Sequence, residues 1–484
     1  MDRSAARSLP AANGLPLCVD LDGTLTYADT LLESMVAQCF RPQMARALIA
    51  LPIIGRAAFK ERIATLGDFD PALLPYNQAL LLYLKRQKLE GRYLVLATAA
   101  NRAVADAVAD HVGLFDEVIA SDAKRNLKGR AKAAALCERF GDKGFVYAGN
   151  DTSDIAVWKV AAAALPVNAA PAVIRRSRHI VEVEESFPPH PSPFTALLRA
   201  MRPHQWVKNL LVFIPIFTAH AIGDVEAWIG ALLTFAAFCA MASAIYLVND
   251  VTDLAADRRH PRKRLRPFAS GALPLPTGLA AATLLAATGM AFAIASDTLG
   301  VIAIYAVMST AYSLTLKEKP LVDVFLLGAL YTIRLFGGGM ATGHALSLWL
   351  LAFSAFLFLG LALLKRVAEL GLNRQMNAAP SGRRGYMTAD IPVLQAFGCA
   401  ASFASSLVLA LFVQRETTAA QYASPGLLWG IVPIMLFWQC RLWLSTARGY
   451  MHDDPIVYSA HDWVSWIVGS AVMLVLLLAY SITI

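Results

Sequence analysis

Apolar and polar residues alternate in two different ways along this chain. Up to about residue 190 the apolar runs are short and charges are scattered among them; from about residue 207 onward, long apolar stretches are separated by brief polar loops. Apolar stretches at 208–223, 227–248, 277–296, 298–316, 322–342, 345–364, 391–413, 425–444 and 463–483 predict nine transmembrane helices. The first is short and interrupted by Pro215. In the polar half, Leu17-Cys-Val19 is an apolar strand that ends in two carboxylates, Asp20 and Asp22, followed by the turn residue Gly23. Leu94-Val-Leu-Ala-Thr98 and Phe145-Val-Tyr147-Ala-Gly149 are further strands that end in polar groups. Ligands of open α/β sheets bind at such carboxyl ends. Between the first and second strands, about 30–85, Leu31, Leu32, Met35, Val36 and Phe40 have helical spacing, as does a stretch from Ile53 to Ile63. They predict a small helical cap over the site. The face from Met44 to Phe59, flanked by Arg41, Arg46, Arg56, Lys60 and Arg62, suits either a cap core or the bilayer surface. Glu184-Glu-Ser-Phe-Pro-Pro-His-Pro-Ser-Pro193 cannot be helical throughout. The expected organisation is a soluble domain at 1–185, a linker at 186–198 and a membrane domain at 199–484.

Composition supports that division. The chain has 484 residues, is 57% hydrophobic and has a mean hydropathy of +0.50, too apolar for a soluble protein of this length. The first fifteen residues lack the apolar core of a signal peptide, so the first span is expected to act as the signal anchor. Loops after the even-numbered spans carry Arg258 to Arg266, Lys317 and Lys319, Lys365 to Arg384, and Arg441 to Arg448, while the opposite loops carry few basic residues. The basic loops and the N-terminal domain are therefore expected in the cytoplasm of a bacterial-type inner membrane, with Ile484 outside. Cys18, Cys39, Cys137, Cys239, Cys399 and Cys440 are far apart and predict free thiols. The net charge of +8 suits membrane and phosphate surfaces. No basic stripe interleaved with aromatics points to nucleic acid.

The strongest chemical signal follows the second span. Asn249-Asp250-x-x-Asp253-x-x-x-Asp257 places three carboxylates at helical spacing. Carboxylates that converge repel one another unless a cation lies among them, and hard oxygen ligands suit Mg²⁺ and a diphosphate. His260-Pro-Arg-Lys263-Arg264-Leu-Arg266-Pro follows, with side chains able to hold further phosphates. Together with Arg202-Pro203-His-Gln-Trp206-Val-Lys208-Asn209, and with Tyr312-Ser-Leu-Thr-Leu-Lys317 followed by Asp323, these motifs resemble the UbiA superfamily of intramembrane transferases. Within it they look most like the polyprenyl-phosphate phosphoribosyltransferases. The resemblance runs from about residue 199 to the C-terminus and implies an all-α UbiA-like bundle. It also implies Mg²⁺ on Asp250, Asp253 and Asp257, with substrate held by Lys208, Asn249, Lys263, Arg264, Arg266, Tyr312, Lys317, Asp323 and Arg334. Ordinary prenyl-diphosphate users carry a second Asp-x-x-x-Asp at the opposite rim; here only Asp323 stands there, which favours a sugar-phosphate donor. Asp453-Asp454 reads as loop surface, and Arg334 lies within a span and suits either a polar cavity or snorkelling to an interface.

Residues 14–183 resemble haloacid-dehalogenase-like (HAD-like) phosphatases, which implies an α/β doubly wound domain. The resemblance assigns Asp20 as the nucleophile that forms an aspartyl-phosphate, Asp22 as acid and base, Thr98 as a phosphoryl-oxygen donor and Lys128 as its neutralising cation. Mg²⁺ is expected on Asp20, Asp22, Asn150, Asp151 and Asp154. The family often has Asp where Asn150 stands, so Asp151 is an alternative ligand. Two sites on one chain suggest consecutive reactions on a lipid: phosphoribosyl transfer from phosphoribosyl diphosphate to polyprenyl phosphate, then removal of the 5-phosphate. An aromatic prenyltransferase with an attached phosphatase and a non-catalytic lipid-binding scaffold are the competing readings.

Overall fold

A computed structural model describes residues 14–38, 41–44, 46, 49, 58–63, 69–122, 125–189, 192–375, 385–415, 422–451 and 454–481. The chain divides into two compact units, Met1–Ala200 with Asp250–Leu279, and Met201–Asn249 with Ala280–Ile484.

In the first unit, β1 (Leu17–Val19), β2 (Leu94–Asn101), β3 (Glu117–Ser121), β4 (Val146–Gly149), β5 (Ala163–Pro166) and β6 (Glu182–Val183) form one sheet in the order β3-β2-β1-β4-β5-β6, with every pairing parallel. This is a doubly wound order. The strands are almost wholly apolar because both faces are covered. Leu17, Val19, Leu94, Leu96 and Val146 enter one core, and their neighbours Cys18, Val95, Ala97, Phe145 and Tyr147 enter the other with Trp158. The period of two along each strand sends successive side chains to opposite faces. The chain leaves β1 for β2 and β3 on one side, then returns to β4 on the other. The switch point therefore lies at the ends of β1 and β4, where Asp20 and Asn150 follow directly. Arg102–Val112 covers β2 and β3; Asn101 Oδ1 accepts the Ala103 N–H at its start, and Gly113 ends it at φ +66°. The packed domain continues to Phe187, whose N–H donates to Pro166 O at 2.9 Å. Before it, Glu184 accepts from the buried Arg92 and from Tyr83.

The expected cap begins with the helix Thr30–Ala37, where Asp29 accepts the Leu32 N–H. Residues 58–63 are also helical. Met44, Phe59 and Ile63 are buried against Leu31 and Met35. These side chains close a small core of their own, Ile49 is exposed, and the rest of the face between Met44 and Phe59 lies largely outside the described residues. Phe40, Ile53 and Arg56 lie outside the described residues. Helix Gln78–Leu89 sends Leu80 and Leu84 into the sheet's core.

The second unit is helical. Counting the helices that begin or end in the first, seven among the described residues are long and apolar enough to cross a membrane: Val225–Thr252, Leu275–Ala295, Val322–Ala341, Leu348–Leu372, Thr388–Val413, Pro425–Ala447 and Trp463–Ser481. The nine expected from hydropathy are thus not all long helices. The expected span at 298–316 is the helix Leu299–Leu314, of 16 residues. The expected span at 208–223 is a 3-10 run, Pro203–Phe213, followed by the five-residue helix Ile214–Thr218 with Pro215 in its first turn. Large apolar side chains such as Leu284, Val307, Phe325, Leu407 and Leu474 stay exposed on these helices, as a lipid-facing surface requires. Inside, small residues allow close packing: a Cβ on Gly338 would lie 2.2 Å from the Val212 carbonyl oxygen, and one on Gly398 would lie 2.2 Å from the Trp443 ring. Cys18, Cys137, Cys239, Cys399 and Cys440 are free thiols; Cys39 lies outside the described residues.

Candidate active sites

The carboxyl end of β1 opens into a cavity of about 560 Å³ lined by Asp20, Asp22, Lys128, Lys132, Asn150 and Asp151, among others. The Asp20 N–H donates to Ala148 O at 3.0 Å, which ties the loop after β1 to β4. The Asp20 Oδ1 accepts the Leu21 N–H at 2.9 Å and lies 2.8 Å from Lys132 Nζ. Lys132 also donates to the Tyr147 hydroxyl at 2.7 Å, and Tyr147 donates to Asp154 Oδ1 at 3.0 Å. The other Asp154 oxygen accepts the N–H groups of Asn150 and Asp151 at 2.9 and 3.0 Å. Asp154 is therefore a brace that shapes the loop after β4. Burial pushes the Asp20 carboxyl up, opposed by Lys132, while Asp154 adds to the rise. Desolvation, then the nearby Asp29, raises Asp22 to about 7, a range suited to giving and then taking a proton. The Thr30 N–H donates to Asp22 Oδ1 at 2.9 Å. Gly23 has φ +74°, and a Cβ there would fall 2.1 Å from the Asn150 amide nitrogen, so this turn requires glycine.

Lys132 was not among the expected residues; Lys128 was. Lys128 lines the cavity but is exposed, whereas Lys132 is buried on the helix Arg130–Phe140 and carries the contact with Asp20. Thr98 does not end its strand as expected: it is fully buried within β2, which runs on to Asn101, and its hydroxyl accepts the Ala100 N–H at 3.0 Å. Lys132→Ala should lower kcat on p-nitrophenyl phosphate by about 10²-fold or more, with Lys128→Ala costing less than about 10-fold. Equal losses would return the central role to Lys128.

Oxygen donors of Asp20, Asp22, Asn150 and Asp151 face one cavity, a donor set that fits Mg²⁺. Among the described residues no three acidic, His or Cys side chains form a ready cage.

The second acidic motif lies at the end of Val225–Thr252. The helix stops at Thr252 and resumes at Leu254–Arg259. The three carboxylates are thus not carried by one unbroken helix, although the Asp257 N–H still donates to Asp253 O at 2.8 Å. Arg266 closes the set: its Nη1 lies 3.2 Å from Asp250 and 2.7 Å from Asp257. One expected phosphate ligand therefore sits on the acids themselves. Asp250 and Asp257 are buried and offer carboxylate oxygens of the kind that suits a divalent ion, but among the described residues no third acidic, His or Cys side chain joins them in a ready cage. Lys263 and Arg264 are exposed on the turn before Arg266.

Three polar networks are buried in the second unit. Asp454 accepts from Lys208 at 2.7 Å, Lys365 at 3.0 Å and the Tyr331 hydroxyl at 2.8 Å. The expectation that Asp454 is loop surface is thus corrected: it is buried, and burial, which would raise its carboxyl, is outweighed by Lys208 and Lys365, which hold it below its ordinary value. Asp453 and Arg384 lie outside the described residues. Arg334 donates to Asn209 Oδ1 at 2.7 Å, with its guanidinium 5.0 Å from the Tyr305 ring centre. It is buried in protein instead of reaching toward an interface. Asp323 is fully buried and accepts from Arg366 and the Tyr386 hydroxyl. Tyr312 and Lys317 are partly exposed.

An α/β domain with a paired-aspartate cavity and a bundle of long apolar helices with an acid-rich motif define a membrane protein that carries a doubly wound domain. The chain belongs to the UbiA prenyltransferase family, whose model matches residues 210–451. It is 36% identical over 464 residues to the uncharacterized protein y4nM of Sinorhizobium fredii, covering 95% of this chain and 90% of that one. It is 35% identical over 275 residues to the nodulation protein NoeC of Azorhizobium caulinodans, covering 56% of this chain and 88% of that one. The decaprenyl-phosphate phosphoribosyltransferase of Corynebacterium glutamicum is 39% identical over 189 residues, 38% of this chain and 57% of the relative. Among solved structures, a UbiA homolog from Archaeoglobus fulgidus bound to GPP and Mg²⁺ is similar over 58% of this chain and 99% of its own, at 14% identity and a TM-score of 0.46. A HAD family hydrolase from Salmonella enterica serovar Typhi is similar over 36% of this chain and 68% of its own, at 15% identity and a TM-score of 0.28. With its seven long apolar helices, this family member is an integral membrane protein.

Proposed function

We propose that the chain moves the 5-phosphoribosyl group from phosphoribosyl diphosphate to a polyprenyl phosphate and then removes the 5-phosphate, leaving polyprenylphosphoryl-ribose. The reading is carried by the asymmetry of the acids. Asp250 and Asp257 converge on Arg266, while Asp323, where prenyl-diphosphate users have a second acidic pair, is occupied by Arg366 and Tyr386. The similarity to decaprenyl-phosphate phosphoribosyltransferases supports it. Asp250, Asp253 and Asp257 would hold Mg²⁺, which would neutralise charge on the departing diphosphate. A phosphate oxygen of the lipid attacks C1 of the ribose as the bond from C1 to the diphosphate breaks. That nucleophile is already anionic and needs no base. Lys263 and Arg264 would bind donor phosphates, and Lys208, Asn249, Tyr312, Lys317 and Arg334 would complete the substrate contacts.

In the second reaction an Asp20 oxygen attacks the phosphorus, the bond to O5 of the ribose breaks, and Asp22 supplies the proton to that oxygen. Asp22 then takes a proton from water, which hydrolyses the aspartyl-phosphate and frees inorganic phosphate. Lys132 holds Asp20 in place, and Asp20, Asp22 and Asp151 would hold Mg²⁺, which would offset phosphate charge. Purified protein in detergent is expected to transfer labelled ribose from phosphoribosyl diphosphate to polyprenyl phosphate. Label moving instead from a prenyl diphosphate to hydroxybenzoate would assign the chain to the aromatic prenyltransferases.

Nine crossings remain the proposed topology. The 3-10 run of 11 residues and the five-residue helix that follows rise about 2.0 Å and about 1.5 Å per residue. Together they reach about 30 Å, the thickness of a bilayer core. The basic loops then lie in the cytoplasm and the C-terminus outside. A C-terminal tag in spheroplasts should be cut by external protease. Protection of that tag until lysis would remove one crossing.

A further inference from the structure

The phosphatase cavity has a second wall that no part of the sheet supplies. Phe268, Gly271, Leu273, Pro274, Leu275 and Pro276 line it together with Asp20 and Asp22. These residues follow the Asp250–Arg266 motif and belong with the α/β domain to the first compact unit. Two fastenings hold them there. Arg258 makes a two-pronged ion pair with Glu33 on the helix Thr30–Ala37, at 2.6 and 2.5 Å, and its Nε donates to Ala269 O at 3.0 Å. Both side chains of the pair are largely buried, at 7% and 12% exposure, so it is screened little by solvent. At Gly271, φ is +78°, and a Cβ there would fall 2.5 Å from Tyr27 Cβ and 3.3 Å from Pro75 Cγ. The backbone is thus pressed against the turn after the nucleophile, and only glycine fits.

The chemistry of the two walls differs. One carries carboxylates and lysines suited to a phosphate; the other is Phe, Leu and Pro, with Pro274 and Pro276 exposed over the buried Phe268, Leu273 and Leu275. A free sugar phosphate presents hydroxyls on every side, and an apolar wall leaves them without partners. A substrate whose sugar leads into a hydrocarbon gains from that wall. We propose that Phe268–Pro276 is the specificity wall of the phosphatase, fastened by the Arg258–Glu33 pair, and that it selects phosphomonoesters whose sugar is linked to a lipid. The lipid-linked ribose phosphate named as substrate rests on the proposed function; the apolar selection rests on the wall.

The test uses the full-length protein and three supplied substrates: p-nitrophenyl phosphate, ribose 5-phosphate, and chemically made farnesylphosphoryl-ribose 5-phosphate. Wild type should favour the farnesyl-linked ester over ribose 5-phosphate by about 100-fold in kcat/KM, within the range that apolar contacts supply. Arg258→Glu and Glu33→Arg should each raise KM for the farnesyl-linked ester by about 10-fold and leave p-nitrophenyl phosphate within about twofold. The double reversal should recover most of the loss. Pro274→Ser with Pro276→Ser, at exposed positions, should reduce the preference while leaving the fastening intact. Equal rates on the two ribose esters overturn the proposal, as does a parallel loss on all three substrates that the double reversal does not repair. Because the ester is supplied, a chain that shows the preference yet transfers nothing from phosphoribosyl diphosphate overturns the function above and supports the wall.

Discussion

Asp20→Asn is expected to build up a lipid that still carries its 5-phosphate. An amide cannot accept a phosphoryl group to form the acyl phosphate, so dephosphorylation should fall by on the order of 10⁴-fold or more. The side chain keeps its size, and an amide oxygen can still accept the Leu21 N–H and face Lys132, so the strand end should keep its shape. The acids of the transfer reaction are separate residues, Asp250, Asp253 and Asp257. Labelled phosphoribosyl diphosphate should therefore yield polyprenylphosphoryl-ribose with wild type and its 5-phosphorylated form with the mutant. Thin-layer separation before and after alkaline phosphatase reads the difference. A mutant product already free of the 5-phosphate would show that the α/β domain acts on some other ester.

The converse mutation should silence the first reaction and spare the second. Asp250→Ala or Asp253→Ala should reduce phosphoribosyl transfer by on the order of 10³-fold. Asp250 is buried and shares Arg266 with Asp257. Its loss removes one carboxylate and leaves the guanidinium to Asp257 alone. Hydrolysis of p-nitrophenyl phosphate, which needs only the cavity at β1, should stay within about twofold. Transfer at the wild-type rate in both mutants would take the diphosphate site elsewhere.

Much of this was legible locally. Leu17-Cys-Val19 followed by Asp20 and Asp22 announces a strand that delivers carboxylates to the rim of a sheet, and β1 does so. The long apolar helices were equally plain, because lipid demands a continuous run of side chains. The miss at Lys132 was avoidable. Lys132, Ala133 and Leu136 share one face of a helix at spacings of one and four, and all three are buried. A lysine on an apolar stripe is a sign of an inward-facing charge, while Lys128 stands before that helix begins. Asp454 was beyond local reading. Its partners Lys208 and Lys365 lie 246 and 89 residues away, and no periodicity reports such a pairing. The 3-10 run at Pro203–Phe213 was hidden for another reason: hydropathy scores the apolar content of a span and is blind to its rise per residue.

The distance in sequence between Lys208, Lys365 and Asp454 also bears on how the chain is made. Both lysines emerge from the ribosome before their shared counter-ion. At about 5–20 residues per second, the 246 residues from Lys208 to Asp454 take roughly 12–50 s to translate. Lys208 for that interval, and Lys365 for the roughly 4–18 s that the 89 residues to Asp454 take, must remain hydrated or lean on headgroups, since an unpaired cation is costly within a bilayer. The helices bearing Lys208 and Lys365 therefore cannot settle into their final electrostatic environment as they are inserted. They close once Asp454 brings the counter-charge that both lysines share.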